Sequence, residues 1–462
     1  MPKLSHPLTR RQFLGHATVA CAAAVTASYA SAETARRVVD PNGKLRHACI
    51  GVGGMGWNDF ENFRQHPRVQ IVALCDVDAD HLAKASKVLP EARTYRDWRE
   101  LLAAEGDRID SVNVTVPDHM HFSIANAAID RGKHVYCQKP MCHDVAEVRA
   151  LTQAAQKQGV VTQLGTQFAS GIGDRQAVQL LRQGVIGRIK HAYLCSNRPG
   201  AEMYRIAGPR PAAGEKPPAS LDWEMWLGTA PERPYAPDIY HPTKWRSWQD
   251  FGTGWSGDIG CHIFDAVWKG LELQPCTSVV AEVQESWKNS PERRADTWPQ
   301  GNHITWTLPG NKHIDGSELI VEWFDGAFYP PEDIRRMYSE DLKEYPAESA
   351  MLIGTEGALL LPHQYPPVLL PEAKFKSVKL PELSRRNHYH HFAEACLGGE
   401  MCESHFTQTG PMTETILLGT VAIRLAGQRL EWDHAKMRVT NSREAAALLK
   451  RQYRKGWTVA GF

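Results

Sequence analysis

The sequence predicts an α/β protein: a doubly wound parallel sheet in the N-terminal part, followed by an α+β domain with an open, mainly antiparallel sheet. Three observations carry that prediction. Short apolar runs alternate with helix-length segments from Lys44 to Leu164, the order that builds parallel strands joined by crossover helices. A glycine turn, Gly51-Val52-Gly53-Gly54-Met55-Gly56, joins the first run to the first helix. Beyond Ile189, several strand-like runs follow one another without helices between them, the grammar of antiparallel neighbours.

At 462 residues the chain is too long for one core. The expected division is a signal over residues 1–32, an arm over 33–44, a nucleotide-binding domain over 45–165 and a substrate-binding and oligomerisation domain over 166–462. Thr9-Arg10-Arg11-Gln12-Phe13-Leu14 is a twin-arginine pattern, followed by a small, apolar run to Ala30 and an Ala30-Ser31-Ala32 cleavage site. That run is too short and too polar for a stable membrane anchor, so a periplasmic or otherwise exported protein is expected. The arm is polar and contains Pro41-Asn42-Gly43.

The first strand is the run ending Ala48-Cys49-Ile50, and the second is Val69–Cys75, closed by Asp76. Helices are expected over Val77–Leu89 and Trp98–Ala104. Asp110–Val116 is the next strand; it stops at Pro117, which cannot continue the ladder. Asp118-His119-Met120-His121 then lies at the C-terminal end of a parallel strand, where ligands collect in such sheets. Ser123–Arg131 is a helix closed by Gly132, His134–Cys137 a strand running into Gln138-Lys139-Pro140, Val145–Gln158 a helix ended by Gly159, and Val160–Leu164 a strand. After the helix Asp174–Gln183 come strands at Ile189–Cys195, Val279–Gln284, His303–Leu308, Glu318–Phe324, Met351–Gly354 and Ala358–Leu361. Asn387–Cys396, Thr413–Ala426 and Ser442–Lys450 read as helices.

The three glycines of Gly51-x-Gly53-x-x-Gly56 serve, in turn, a tight turn, close approach of backbone to a pyrophosphate, and close packing of helix on strand. Gly54 and Met55 complete the turn, and the helix N-terminus offers N–H groups to phosphate. Asp76 stands where an acid accepts hydrogen bonds from a ribose and repels a 2′-phosphate, which favours NAD over NADP. The net charge of +1 gives no sign of a basic nucleic-acid face or a polybasic membrane patch, so neither nucleic acid nor membrane is expected as a partner. Ten cysteines fall mostly in apolar runs, with no spacing that suits zinc, so no metal is expected.

Two constellations could carry chemistry. Lys139, at a strand end, can donate a hydrogen bond to a substrate oxygen. In Gly252-Thr253-Gly254-Trp255-Ser256-Gly257-Asp258-Ile259-Gly260-Cys261-His262, Asp258 and His262 are four apart and share a helical face. Neutral His262 can take a hydroxyl proton near pH 7, with Asp258 fixing its tautomer or binding another hydroxyl; the same pair could be a helix-face ion pair. Trp245, Trp248 and Trp255 would suit stacking on a sugar face.

On these motifs, with Val116-Pro117-Asp118-His119-Met120-His121, Gly132-Lys133-His134-Val135 and Gly257-Asp258-Ile259-Gly260-x-His262-x-x-Asp265, the chain from Lys44 onward resembles the glucose-fructose oxidoreductase, inositol dehydrogenase and rhizopine-catabolism (Gfo/Idh/MocA) family. Trp223, Trp226, Trp245-Arg246 and the stretch from Trp432 to Trp457 resemble an exported subgroup. The resemblance implies a Rossmann domain, an open-sheet C-terminal domain and a homodimer or homotetramer. It also implies NAD held by Gly51, Gly53, Gly54, Met55, Gly56, Asp76, Pro117, His121, Gln138 and Lys139, and a substrate site of Lys139, Trp245, Arg246, Asp258 and His262. Lys139 is then the catalytic lysine, His262 the acid/base and Asp258 the assisting acid.

The family pattern has Glu-Lys-Pro where this chain has Gln138-Lys139-Pro140. Loss of that carboxylate is expected to make Lys139 easier to deprotonate. The leading expectation is an NAD-dependent oxidoreductase acting on a secondary alcohol of a sugar or glycoside, its cofactor tightly held because export leaves no free supply. The alternatives are a redox-neutral glycoside hydrolase using the same residues and a non-catalytic exported sugar-binding protein.

Overall fold

The computed structural model describes residues 39, 43–199, 206, 208–326 and 328–462. The twin-arginine segment, its cleavage site and most of the arm lie outside the described residues.

Six strands form the first sheet: β1 (Leu45–Ile50), β2 (Val69–Cys75), β3 (Arg93–Tyr95), β4 (Ser111–Val114), β5 (His134–Cys137) and β6 (Thr162–Leu164). They run parallel in the order β3-β2-β1-β4-β5-β6, with Leu45 opposite Val69 and His47 opposite Ser111. The order reverses beside β1, opening a crevice at the C-terminal strand ends. β4 and β5 are buried along their whole length, as strands covered on both faces must be. Local chemistry sets the helix ends. Asp78 and Asp97 accept the backbone N–H groups of Asp80 and Arg99 at the starts of Ala79–Val88 and Trp98–Glu105. Asp144 and Glu147 form a reciprocal capping box on Val145–Gln158, which ends at Gly159 in the left-handed region.

The second sheet has nine strands: β7 (Ile189–Ser196), β8 (Ser278–Val283), β9 (Asn302–Pro309), β10 (Glu318–Asp325), β11 (Glu348–Gly354), β12 (Ala358–Pro362), β13 (Val368–Leu370), β14 (Leu430–Asp433) and β15 (Arg438–Val439). Their order is β13-β12-β11-β7-β10-β9-β8-β14-β15, antiparallel except for the β7–β10 pair. The helices Gly254–Gly270 and Phe406–Arg424 pack on each other and on this sheet. The second is buried on nearly every side, and Gly419 lets it approach Trp306 of β9. It begins seven residues before the expected Thr413, running through Pro411 near its start.

Sequence order is not spatial order at the C-terminus. Tyr389, Phe392, Ala393 and Cys396 of the helix His388–Cys396 join Phe60, Phe63 and Tyr136 of the first domain in one apolar cluster. The final segment also returns there: Leu449 O accepts from Ala146 N, and Arg451 Nη2 pairs with Glu147 at 3.0 Å. All nine cysteines among the described residues are buried free thiols.

Candidate functional site

The glycine turn is built for close approach. Gly51 lies at φ +85°, and a Cβ there would run into the carbonyl oxygen of Thr115 at the end of β4. A Cβ on Gly56 would meet the Gly51 carbonyl, so the helix Met55–Arg64 can start directly over the strand. Gly53 lies under the imidazole of His81, where a side chain would collide with the ring. Asp76 braces the turn: its carboxylate accepts the N–H groups of Val52 and Asp78, each at 2.9 Å.

These residues wall one end of a cleft of about 440 Å³. Gly51, Gly53, Gly54, Met55, Gly56 and Asp76 line that end; Pro117, Asp118, Gln138, Lys139, Trp245 and Arg246 line the other. A dinucleotide fits the donor set: Gly51, Gly53 and Gly56 let the turn fold tightly on Thr115, His81 and its own backbone, Gly54 leaves open space beside the helix start, and the helix N-terminus offers its N–H groups there. Sequence reasoning missed His81, Trp226, His241 and Thr243, which also line the cleft. Trp226, His241 and Thr243 come from the C-terminal domain, beyond the reach of local patterns. His241 Nε2 lies 3.3 Å from Asp78, tying a C-terminal loop to the first domain.

Lys139 follows β5 and reaches across to the helix Gly254–Gly270. Its Nζ donates to Asp258 Oδ1 at 2.6 Å and approaches the Asp258 carbonyl at 3.3 Å. Arg246 Nε is 3.9 Å from Asp258 Oδ2, and its guanidinium stacks on Trp245. Glycines permit this crowding. A Cβ on Gly252 would press on the Arg246 backbone at 2.8 Å, and one on Gly257 would meet the Thr253 side chain at 2.5 Å.

His262 stands one turn after Asp258 on the same helix, between Phe168 and His363, with ring centroids 6.1 and 5.5 Å away. Its Nδ1 has no hydrogen-bond partner among the described residues. Burial first, then the charge of Lys139, holds its pKa well below the usual imidazole range, so the ring is neutral and keeps one unprotonated nitrogen as an acceptor. Asp258 and His262 thus share the expected helical segment, but Asp258 turns to Lys139.

Gln138 differs from expectation in a way that corrects the charge argument. Its Nε2 donates to both oxygens of Asp59, each at 3.0 Å, and Asp59 also accepts from Thr115 (2.7 Å) and Tyr389 (2.8 Å). A buried carboxylate therefore stands against Gln138 after all, and a second one, Asp258, contacts Lys139 directly. Lys139 has not lost its negative neighbour. The only sequence signal for Asp59 was an acid on the buried, Phe60- and Phe63-bearing face of its helix.

His121 does not line the cleft. It is fully buried, with Nδ1 2.7 Å from Pro140 O and Nε2 2.8 Å from Val116 O, and so fastens the ends of β4 and β5 from behind. Trp248 is fully buried, with Nε1 donating to Ile239 O, and Trp255 donates to Ser196; Trp245 alone of the three lines the cleft.

Residues 45–166 match an oxidoreductase family's NAD-binding Rossmann fold, and residues 141–321 match that family's C-terminal alpha/beta domain. The chain is 31% identical over 144 residues to a D-apiose dehydrogenase of Paraburkholderia graminis, covering 31% of this chain and 38% of that protein. It is 28% identical over 209 residues to a glycosyl hydrolase family 109 protein of Shewanella baltica, covering 40% and 45%. The chain thus spans less than half the length of these curated relatives. Among solved structures, a WlbA dehydrogenase of Chromobacterium violaceum in complex with NADH and UDP-GlcNAcA superposes with a TM-score of 0.60 at 16% identity, covering 87% of this chain and 99% of that one. An inositol dehydrogenase homologue of Azotobacter vinelandii, complexed with NADH and myo-inositol, gives 0.55 at 17%, covering 86% and 99%. At such identities the likeness is one of fold.

Proposed function

We propose, on the premise that this chain belongs to the Gfo/Idh/MocA family of NAD-binding oxidoreductases, that it oxidises a secondary alcohol of a sugar or glycoside. The observation that carries the reading is Lys139 Nζ, held in the nucleotide cleft by Asp258, one helical turn from neutral His262. When bound, NAD supplies the two-electron acceptor. Gly51, Gly53, Gly54, Met55, Gly56 and Asp76 hold its phosphates and ribose end. Lys139 Nζ donates a hydrogen bond to the reacting oxygen, opposing the charge that develops there as the hydroxyl proton leaves. His262 accepts that proton at a ring nitrogen, and Asp258 fixes the ammonium of Lys139 in place. Arg246 and Trp245 bind the remaining sugar hydroxyls and face.

Similarity to glycosyl hydrolase family 109 proteins supports a second reading, redox-neutral cleavage of a glycoside through the same residues. An assay on aryl glycosides separates the two: ketone with stoichiometric NADH supports net oxidation, aglycone without net NADH supports hydrolysis. Replacing Lys139 with Met is expected to lower kcat at least about 10²-fold while leaving NAD bound; undiminished turnover would remove this mechanism. Export by the twin-arginine route with the cofactor loaded, and pairing of copies through the open sheet face, complete the proposal. Nucleotide co-eluting with the mature protein on gel filtration is the expected result, and a dimeric or tetrameric mass is expected from light scattering.

A further inference from the structure

Asp118 has no role in the scheme above, yet it sits inside the site. It follows Pro117 at the start of the 3-10 turn Asp118–Met120, beyond the C-terminal end of β4, and lines the cleft although only 1% exposed. Its surroundings come from three elements. Thr253 Oγ1, just before the helix Gly254–Gly270, donates to its Oδ2 at 3.2 Å. The charged groups acting on it are Asp258 from that helix, Arg246 from the turn Lys244–Ser247 and Lys139 after β5, and the thiols of Cys137 and Cys261 feel its charge. The two cations are turned elsewhere: Lys139 Nζ contacts Asp258 Oδ1 at 2.6 Å, and Arg246 Nε faces Asp258 Oδ2 at 3.9 Å.

Two buried carboxyl groups therefore compete for one set of cations at the wall of the cleft, and only one of them has won the direct contact. Ionising both is strongly unfavourable when solvent is excluded. Burial first, and then the negative charge of Asp258, pushes Asp118 up to about 8, with Arg246 and Lys139 opposing. A carboxylic acid kept neutral at pH 7 is a strong hydrogen-bond donor toward an oxygen that gains charge.

We propose that Asp118 is a second acid of the site, standing in the cleft as a neutral carboxylic acid that donates its O–H to an oxygen of the bound sugar beside Lys139. The inference rests on the sugar-oxidising reading of the same cleft. The proton stays on Asp118 through the reaction, so atoms balance without it: His262 carries the substrate's proton away, and Asp118 only shares its own. Ionisation of Asp118 then removes a donor and places a second negative charge next to Asp258, which weakens the grip on a developing alkoxide. Activity should fall as pH rises through the Asp118 titration.

The test uses the full-length NAD-loaded protein with two variants. Asp118→Asn keeps a donor that cannot ionise: kcat should drop roughly tenfold at pH 7, and the alkaline fall in kcat/KM should disappear. Asp118→Ala should lose about 10²-fold at every pH. An Asn variant that keeps the wild-type alkaline limb, or that is as impaired as the Ala variant at pH 7, overturns the proposal. A readout independent of turnover separates this from failure of the sugar reading: infrared difference spectra between pH 6 and pH 9 should show a larger loss of protonated-carboxyl absorption in the wild type than in Asp118→Asn, where Asp144 and Asp325, both pushed up to about 7 by burial, still contribute. Identical spectra for the two proteins overturn the assignment whatever the substrate, whereas a difference between them with no sugar turned over upholds the neutral acid and rejects the sugar as its partner. Retained NAD and unchanged thermal midpoint in Asp118→Asn show that the comparison is made on folded protein.

Discussion

Gln138 and Asp59 satisfy each other across neighbouring elements. The amide at the end of β5 needs an acceptor, and the acid on the helix Met55–Arg64 needs donors; the two meet in a site closed to water. Gln138→Glu would set a second carboxylate where the amide now donates, at 3.0 Å from Asp59. The expected cost is about 2–4 kcal/mol by urea unfolding, with most of it recovered in the Asp59→Asn/Gln138→Glu double variant. Burial also pushes Asp59 up from 3.8 to about 6, against the hydrogen bonds from Gln138, Thr115 and Tyr389. Between those values the folded chain binds a proton that the unfolded chain has released, so this group's contribution to stability falls as pH rises through that window and is constant above it. Unfolding free energies measured from about pH 4 to about pH 7 should show that decline in the wild type and a flatter profile in Asp59→Asn.

The glycine turn and the helix it feeds act as one element, and their glycines are not equivalent. Gly56 abuts backbone, the carbonyl of Gly51, which cannot swing aside. Gly54 has φ +52° but open space around its missing Cβ. Gly56→Ala should therefore cost about 2–3 kcal/mol and displace the helix start, weakening NAD binding by an order of magnitude or more. Gly54→Ala meets no neighbouring atom, so its cost of about 1–3 kcal/mol is backbone strain alone, from φ +52° with ψ −117°, a conformation that glycine adopts and L residues avoid, and it should disturb NAD binding less than Gly56→Ala does. Thermal unfolding with and without NAD ranks the two variants; equal effects would show that the turn is not set by the Gly51–Gly56 approach.

At the scale of the whole molecule, the C-terminal segment fastens the cleft from outside. Arg451 pairs with buried Glu147 and donates to His119 O, Tyr453 donates to Glu147, and Phe462 packs on Phe122. Arg454 reaches Glu224 and the Gly228 carbonyl on the far side of the cleft. Arg451→Ala leaves Glu147 buried without this cation and should destabilise the fold by about 3–5 kcal/mol. Because the same guanidinium holds the turn that carries Asp118, KM for NAD or sugar should rise as well, measured well below the variant's unfolding temperature. A purely remote stabilising role would lower the unfolding midpoint and leave KM alone.

The sequence by itself determined the alternating grammar of the first sheet, the glycine turn with Asp76 after β2, and the spacing that sets Asp258 and His262 on one helix. Each is local: hydrophobic periodicity, positive φ and helical repeat act over a few residues and leave their mark in order along the chain. β3, β13, β14 and β15 went unread because such short strands, at or next to a sheet edge, have little periodicity of their own and are defined by their partners. Only the tertiary structure decided that Lys139 pairs with Asp258 across 119 residues, that Asp59 answers Gln138, that His121 is a clamp behind the wall and that Asp118 shares the site with another acid. Those outcomes depend on desolvation and on which charges lie within a few ångströms, quantities that exist only once distant segments have packed together.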